Sequence, residues 1–289
     1  MTSEQLFQIF LNGITLASVY FLVASGLTLI FGLMRVITMA HGTSYLLGGY
    51  FGFSVASATG NWYLAALVAA AIVGVLGLII HQVLIHKFQN DDLRVALITL
   101  GVAFIGTDLM AATYGGDAYQ VPAPSNWLGT VVLPLAGSYS LQRLIIILIS
   151  IIIGVALWLL ISKTRYGAIV RAGVDDSQMT AATGVNTRVI FASIFLLGSA
   201  LAGFAGVANG TLFTLLPGQD GTFLLYSLVV VIVGGMGSIP GAALGALLVG
   251  LVSQFGLYFA PTYATVFTFA LMVIVLAVRP QGIMGKVRL

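Results

Sequence analysis

LQRLIIILISIIIGVALWLLIS (141–162) runs directly into SKTRYGAIVRAGVDDSQMTAATGVNTR (162–188). The first stretch carries a single charge, Arg143, near its start. It has the length, roughly 20 residues, that an α-helix needs to cross the hydrocarbon core of a bilayer. The second stretch is polar and too long for a plain turn. A lipid-crossing helix followed by a substantial polar segment sets the terms on which the rest of the chain is read.

Composition points the same way. Of 289 residues, 60% are hydrophobic and 7% charged, and the mean hydropathy is +1.10. A soluble domain is nearer half apolar and a quarter charged, and no soluble interior of this size hides so much apolar side chain. The expected fold class is therefore all-α: a polytopic transmembrane helical bundle. Helices are required because lipid offers no partner to a bare backbone N–H or C=O. The absence of cysteine excludes a disulfide framework and thiolate metal sites. Three isolated histidines make no zinc site without carboxylate help. The pI near 9.2 comes from dispersed cations, which membrane topology explains better than nucleic-acid binding. Glu4 and no Lys or Arg precede the first apolar run, so a retained first membrane helix is expected there, not a cleaved signal.

Charge and turn signals divide one transmembrane domain, 1–289, into about eight or nine spans: 8–32, 36–58, 62–85, 94–113, 141–162, 189–213, 222–236, 240–259 and 262–279. Thr59-Gly60-Asn61, HKFQNDDLR (86–94), a Gly/Pro/Ser-rich loop (114–140) and the turn LLPGQDG (215–221) separate them. Spans seven and eight are the least marked, because the break GGMGSIPG between them holds no charge. With the N-terminus outside, Arg35, Lys87, Arg94, Lys163, Arg165, Arg171, Arg188, Arg279, Lys286 and Arg288 face the cytosol and only Arg143 does not. Ten of the eleven cations then obey the positive-inside rule, and the C-terminus is cytosolic.

Small residues recur every fourth position: Gly198, Ala202, Gly206 and Gly210; Gly237, Gly241 and Gly245; Gly48 and Gly52. Such stripes let backbones approach closely. They also suit a pathway wall, and spacing does not separate the two readings.

No HExxH, GxSxG, intramembrane acid pair or GxxxxGK[ST] phosphate loop is present. The chain is therefore read as non-catalytic, without a cofactor of its own, and any ATP is held by a partner chain. Asp108 is an acid well inside a span, which makes it a functional candidate by default. The alternative is an acid near the outer interface, or one bonded to a neighbouring helix. In GLMRVITMAHGTSYLLGGY (32–50), Thr38, His41, Thr43 and Ser44 cluster beyond Arg35 at the cytosolic start of span two. Arg35 reads as an interface anchor. His41, about 8 Å deeper, is either a packing histidine or a group lining a path. Gly32 and Gly42 bracket a possible helix break whose freed backbone groups would line a cavity. Asn209 is a similar, weaker candidate. Within the polar segment, VDDSQMTAATGV (174–185) reads as a short helix, with acids and Ser in front and Gly184 at the stop. A docking helix and a solvated connection are both open readings of it.

GLTLIFGLMRVITMAHG (26–42), TRYGAIVRAGVDDSQMTAATGVNT (164–187), VIVGGMGSIPGAALGALLVG (231–250) and RPQGIMG (279–285) resemble the branched-chain amino-acid (Liv-type) ABC importer permeases, in order and across nearly the whole chain. The resemblance implies a permease subunit in a bacterial cytoplasmic membrane, importing branched-chain amino acids or a similar small polar solute such as urea, an amide or a carboxylate. It implies a second related permease subunit, two cytosolic ATPase subunits and an extracytoplasmic solute-binding protein. It makes the short helix a coupling helix for the ATPase, with Arg171, Asp175, Asp176, Ser177, Gln178, Thr180 and Gly184 on that surface. Two departures stand out. The family's Glu-rich start and following Pro are replaced by Asp175-Asp176-Ser177-Gln178, and Thr38 stands where Asn is common. The competing function is a stand-alone ion-coupled secondary transporter relying on Asp108 or His41. An intramembrane enzyme would need a nucleophile with a base, which the sequence does not supply.

Overall fold

The apolar runs fold as helices. The computed structural model describes residues 3–34, 38–88, 91–133 and 137–285; Arg35, Lys286, Arg288 and the side chain of Ser177 lie outside the described residues. In chain order the helices are α1 (Ser3–Met34), α2 (His41–Thr59), α3 (Trp62–Ile80), α4 (Asp92–Tyr114), α5 (Leu141–Lys163), α6 (Arg165–Asp175), α7 (Ser177–Ala182), α8 (Thr187–Leu212), α9 (Gln219–Gly234), α10 (Ile239–Phe259) and α11 (Ala264–Val278). A π-helical turn, His81–Ile85, continues α3. Among the described residues, seven helices are long and apolar enough to cross a bilayer: α1, α3 with its continuation, α4, α5, α8, α10 and the α11 stretch. α2 is rich in Gly, Ser and Tyr, and α9 has only 16 residues. The chain is a polytopic helical membrane protein.

Three expectations need correction. Span two begins at His41, not near 36, and Thr38–Ala40 is not helical. The 114–140 stretch is more than a loop: β1 (Thr130–Leu133) and β2 (Gly137–Ser140) pair as an antiparallel hairpin. The polar segment forms two helices, not one, because Thr164 caps α6 (Gly167 N–H donates to its Oγ1, 3.1 Å) and extended Asp176 separates α6 from α7.

The glycine stripes are contact surfaces. A Cβ on Gly206 would stand 2.0 Å from the Tyr45 carbonyl oxygen, and one on Gly26 2.4 Å from that of Gly198. α1, α2 and α8 thus meet backbone to backbone, as small-residue faces permit. At the Met34 end, Gly32 abuts Gly237 in the α9–α10 turn. The C-terminal segment folds onto the same turn: Ile283 N–H donates to Val233 O (2.9 Å) and Met284 N–H to Gly234 O (3.0 Å). These bonds satisfy carbonyls that the end of α9 leaves open, and they explain why VIVGGMGS and RPQGIMG belong together. At the opposite end, the Tyr139 hydroxyl meets Thr15 Oγ1 at 2.7 Å, Val121 N–H donates to Gly210 O, and Trp62 Nε1–H donates to Thr211 Oγ1. Arg143 donates to Asn12 at this end.

Candidate functional site

Residues 38–43 are the place where chain direction, polarity and depth conflict with a simple crossing. Met39 N–H lies outside a helix and donates to Thr99 Oγ1 of α4 at 3.0 Å. Ser44 Oγ–H donates to Ala40 O, 2.9 Å. His41 is 2% exposed, and its Nε2 bonds the Val23 carbonyl of α1 at 3.0 Å. Val23 is eleven residues before Met34, so His41 stands ~16 Å up the α1 axis at 1.5 Å per residue. α2 therefore begins inside the bundle. Thr38, His41, Ser44, Thr99 and Ser199 line a small cleft there, and Thr38 Oγ1 is buried without a hydrogen-bond partner among the described residues.

α9 begins at the same depth. Gly218 turns the chain at φ +84°, and Leu215 packs fully buried on Gly49 and Gly210. The first turn of α9 then lies on Gly42, where a Cβ would stand 2.1 Å from the Asp220 carbonyl oxygen. The Asp220 carboxylate completes the junction: its Oδ2 accepts from Thr43 (3.2 Å) and from Thr107 of α4 (2.9 Å). Thr107 lies ~22 Å along α4 from Asp92 and ~10 Å from Tyr114. This corrects the topology reading in one respect. The start of span two and the LLPGQDG turn, assigned to opposite membrane faces, touch each other within the bundle.

The remaining candidates disperse. Asp108 adjoins Thr107 but is exposed, on a face with Phe104, Ile105 and Leu109 (63%, 63% and 59% exposed). Asn209 is 1% exposed, with no hydrogen bond to its side-chain amide among the described residues. It lies eleven residues past Gly198, ~16 Å from the His41 level. The polar-segment residues gather separately. Asp176 Oδ1 accepts from Gln178 N–H (3.0 Å) and Met179 N–H (2.9 Å), capping α7. Thr180 Oγ1–H donates to Asp176 O, Gly184 ends the helix at φ +86°, and Arg171 donates to Ile161 O. Asp175 closes α6 and so does not sit at a helix front as the sequence reading had it. Gln178 and Met179 are exposed.

Sequence reasoning missed Asp220, Thr99 and Thr107. The available signal was the shortness of span seven beside an acid, with Pro217 and Gly218 just before it.

Two interrupted helices meeting midway through a polytopic bundle, around mild polar groups, describe a membrane transport protein. Residues 9–276 match the family model described as branched-chain amino acid transport system / permease component. The chain belongs to this family of transport permease components. It is 31% identical to the high-affinity branched-chain amino acid transport system permease protein LivH of Escherichia coli (strain K12), over 95% of this chain and 94% of that protein. It is 26% identical to LivM of the same organism, over 95% of this chain and 69% of that protein. A chain of the solved structure "PsaBC from Streptococcus pneumoniae in complex with Fab" shares the fold at a TM-score of 0.52 and 11% identity, covering 93% of this chain and 91% of that one. The family assignment favours an ABC permease over the stand-alone ion-coupled carrier.

Proposed function

We propose that this chain is one membrane-spanning subunit of an ATP-driven importer of branched-chain amino acids or a similar small polar solute. The family match across 9–276 carries the reading. A second, related permease subunit completes the pathway, as a heterodimer; LivH and LivM are two separately named permease proteins of one organism. Two ATPase subunits bind and hydrolyse ATP below, and an extracytoplasmic protein delivers solute from above. The N-terminus is outside and the C-terminus is in the cytosol of a bacterial inner membrane. In support, Lys163, Arg165, Arg171, Arg188 and Arg279 belong to helix ends on the Met34 side, whereas Arg143 bonds Asn12 on the other.

Solute passes by the helix break. Thr38, Thr43 and Ser44 offer hydroxyls and loose backbone groups, contacts weak enough to release what they bind. His41 holds the break against α1. Asn209 lies farther along the same route, whereas Asp108 faces outward from α4 and stands off it. The pair α6–α7 carries the ATPase motion, with exposed Gln178 and Met179 on the capped helix as the contact. The test is reconstitution. ATP-dependent L-leucine uptake that needs the second permease, the ATPases and the binding protein supports this function. Uptake by the chain alone, abolished by an ionophore, contradicts it.

A further inference from the structure

Asp220 is the charged group that bonds both Thr43 and Thr107 at the junction of the interrupted helices, and its chemistry is incomplete. Oδ2 takes both threonine hydroxyls, while Oδ1 accepts no hydrogen bond among the described residues. The ion pair found among those residues is Arg94 with Asp91, far from here along α4, so no cation faces Asp220 within them. Asp220 is half-buried, so the residue is not sealed in the core. One turn further along α9, Phe223 packs on Tyr45 (ring centroids 4.4 Å) and stands 6.4 Å from Tyr20. A carboxylate this far inside a membrane bundle is costly unless a partner or a water-filled cavity meets it. A purely structural acceptor for two hydroxyls needs no charge; Asn would serve. The charge suits the first turn of α9, at the positive end of the helix dipole, and it also gives the group affinity for a cation. Gly42 holds the group in place, because the α9 backbone rests where any side chain would be.

We propose that Asp220, oriented by Thr43 and Thr107, receives the ammonium group of the solute in transit, beside the partly exposed ring of Phe223, which the buried Tyr45 backs. The proposal rests on the amino-acid reading of the function. The hydroxyls occupy one oxygen, and the solute's N–H donors take the other. Aromatic rings one turn away suit an apolar side chain attached to that ammonium.

The test uses the full complex in vesicles with internal ATP and the cognate binding protein, and L-leucine as probe. Wild-type uptake is expected. Asp220→Asn should lower it roughly tenfold or more, the size of one lost charge-assisted contact, with complex yield kept; Asp220→Glu should retain most uptake. Wild-type vesicles that accumulate no leucine overturn the underlying function, and this inference with it. Wild-type accumulation matched by Asp220→Asn overturns the inference alone. A second measurement avoids substitution of the acid. The chain has no cysteine, so Thr107→Cys gives this subunit a single thiol beside Asp220. A cationic methanethiosulfonate should label it several-fold faster than an anionic one. Equal rates, or no labelling from water, overturn the proposal.

Discussion

Gly206 and Gly101 both sit in the interior of long helices, α8 and α4, yet they mark opposite kinds of surface. At Gly206 another backbone occupies the space of a side chain, 2.0 Å from the added Cβ; at Gly101 nothing lies within 4 Å. The α1–α2–α8 seam is bound by close backbone approach. α4 touches the bundle mainly along α2 and turns Leu93, Leu97, Phe104 and Ile105 outward. The seam keeps α1, α2 and α8 in fixed register, while α4 forms the looser side, where its Thr99 and Thr107 meet the starts of α2 and α9. A rigid half beside a less tightly packed half is what a gated pathway requires.

The contrast is broken most severely at the seam. Gly206→Val should destabilise the fold by roughly 3 kcal/mol or more and nearly abolish purified complex, measured as yield in detergent; a normal yield would show that the seam gives way easily. Next in size is the polar segment. Asp175→Lys with Asp176→Lys should lower ATP-driven uptake at least tenfold. It removes the α7 cap, worth about 1 kcal/mol, and reverses the charge there, while the membrane helices stay intact. Normal pull-down of ATPases with full uptake would remove α6–α7 from coupling. His41→Ala should reduce uptake several-fold with assembly preserved, because it releases the start of α2 from Val23; wild-type uptake would make His41 dispensable to the break. The smallest effect is expected at Gly101→Ala, which should leave yield unchanged or stabilise α4 by up to about 1 kcal/mol. A marked loss of complex would mean that a partner packs closely on that face.

Much of this was legible in the residues. Apolar runs predicted nearly every long helix to within a few residues, because in lipid no other backbone form is satisfied. The fourfold spacing of Gly198, Ala202 and Gly206 marked a small-residue face but left packing and a pathway wall equally open; the close backbone approach at Gly206 decides for the seam. The bracket of Gly32 and Gly42 pointed to the break. Depth was not legible. Hydropathy counts how many residues can cross, not where a helix starts along the normal, so Thr43 and Asp220 were assigned to opposite faces. Asp220 sits in a Pro-Gly turn and reads there as a loop acid; only the fold of α9 onto Gly42 reveals its neighbours. The α6–α7 division was hidden for a similar reason, since Asp175 and Asp176 look alike in sequence but end one helix and cap the next.

The central claim is that α2 and α9 start inside the membrane and meet. Thr43→Cys combined with Asp220→Cys tests it in native membranes, with Thr43→Cys plus Arg279→Cys as the distant control. A short bifunctional thiol reagent should link the first pair efficiently and leave the control unlinked. Failure to link Thr43→Cys with Asp220→Cys, with both thiols shown to be reactive singly, would place the two helix starts on opposite faces and contradict the account.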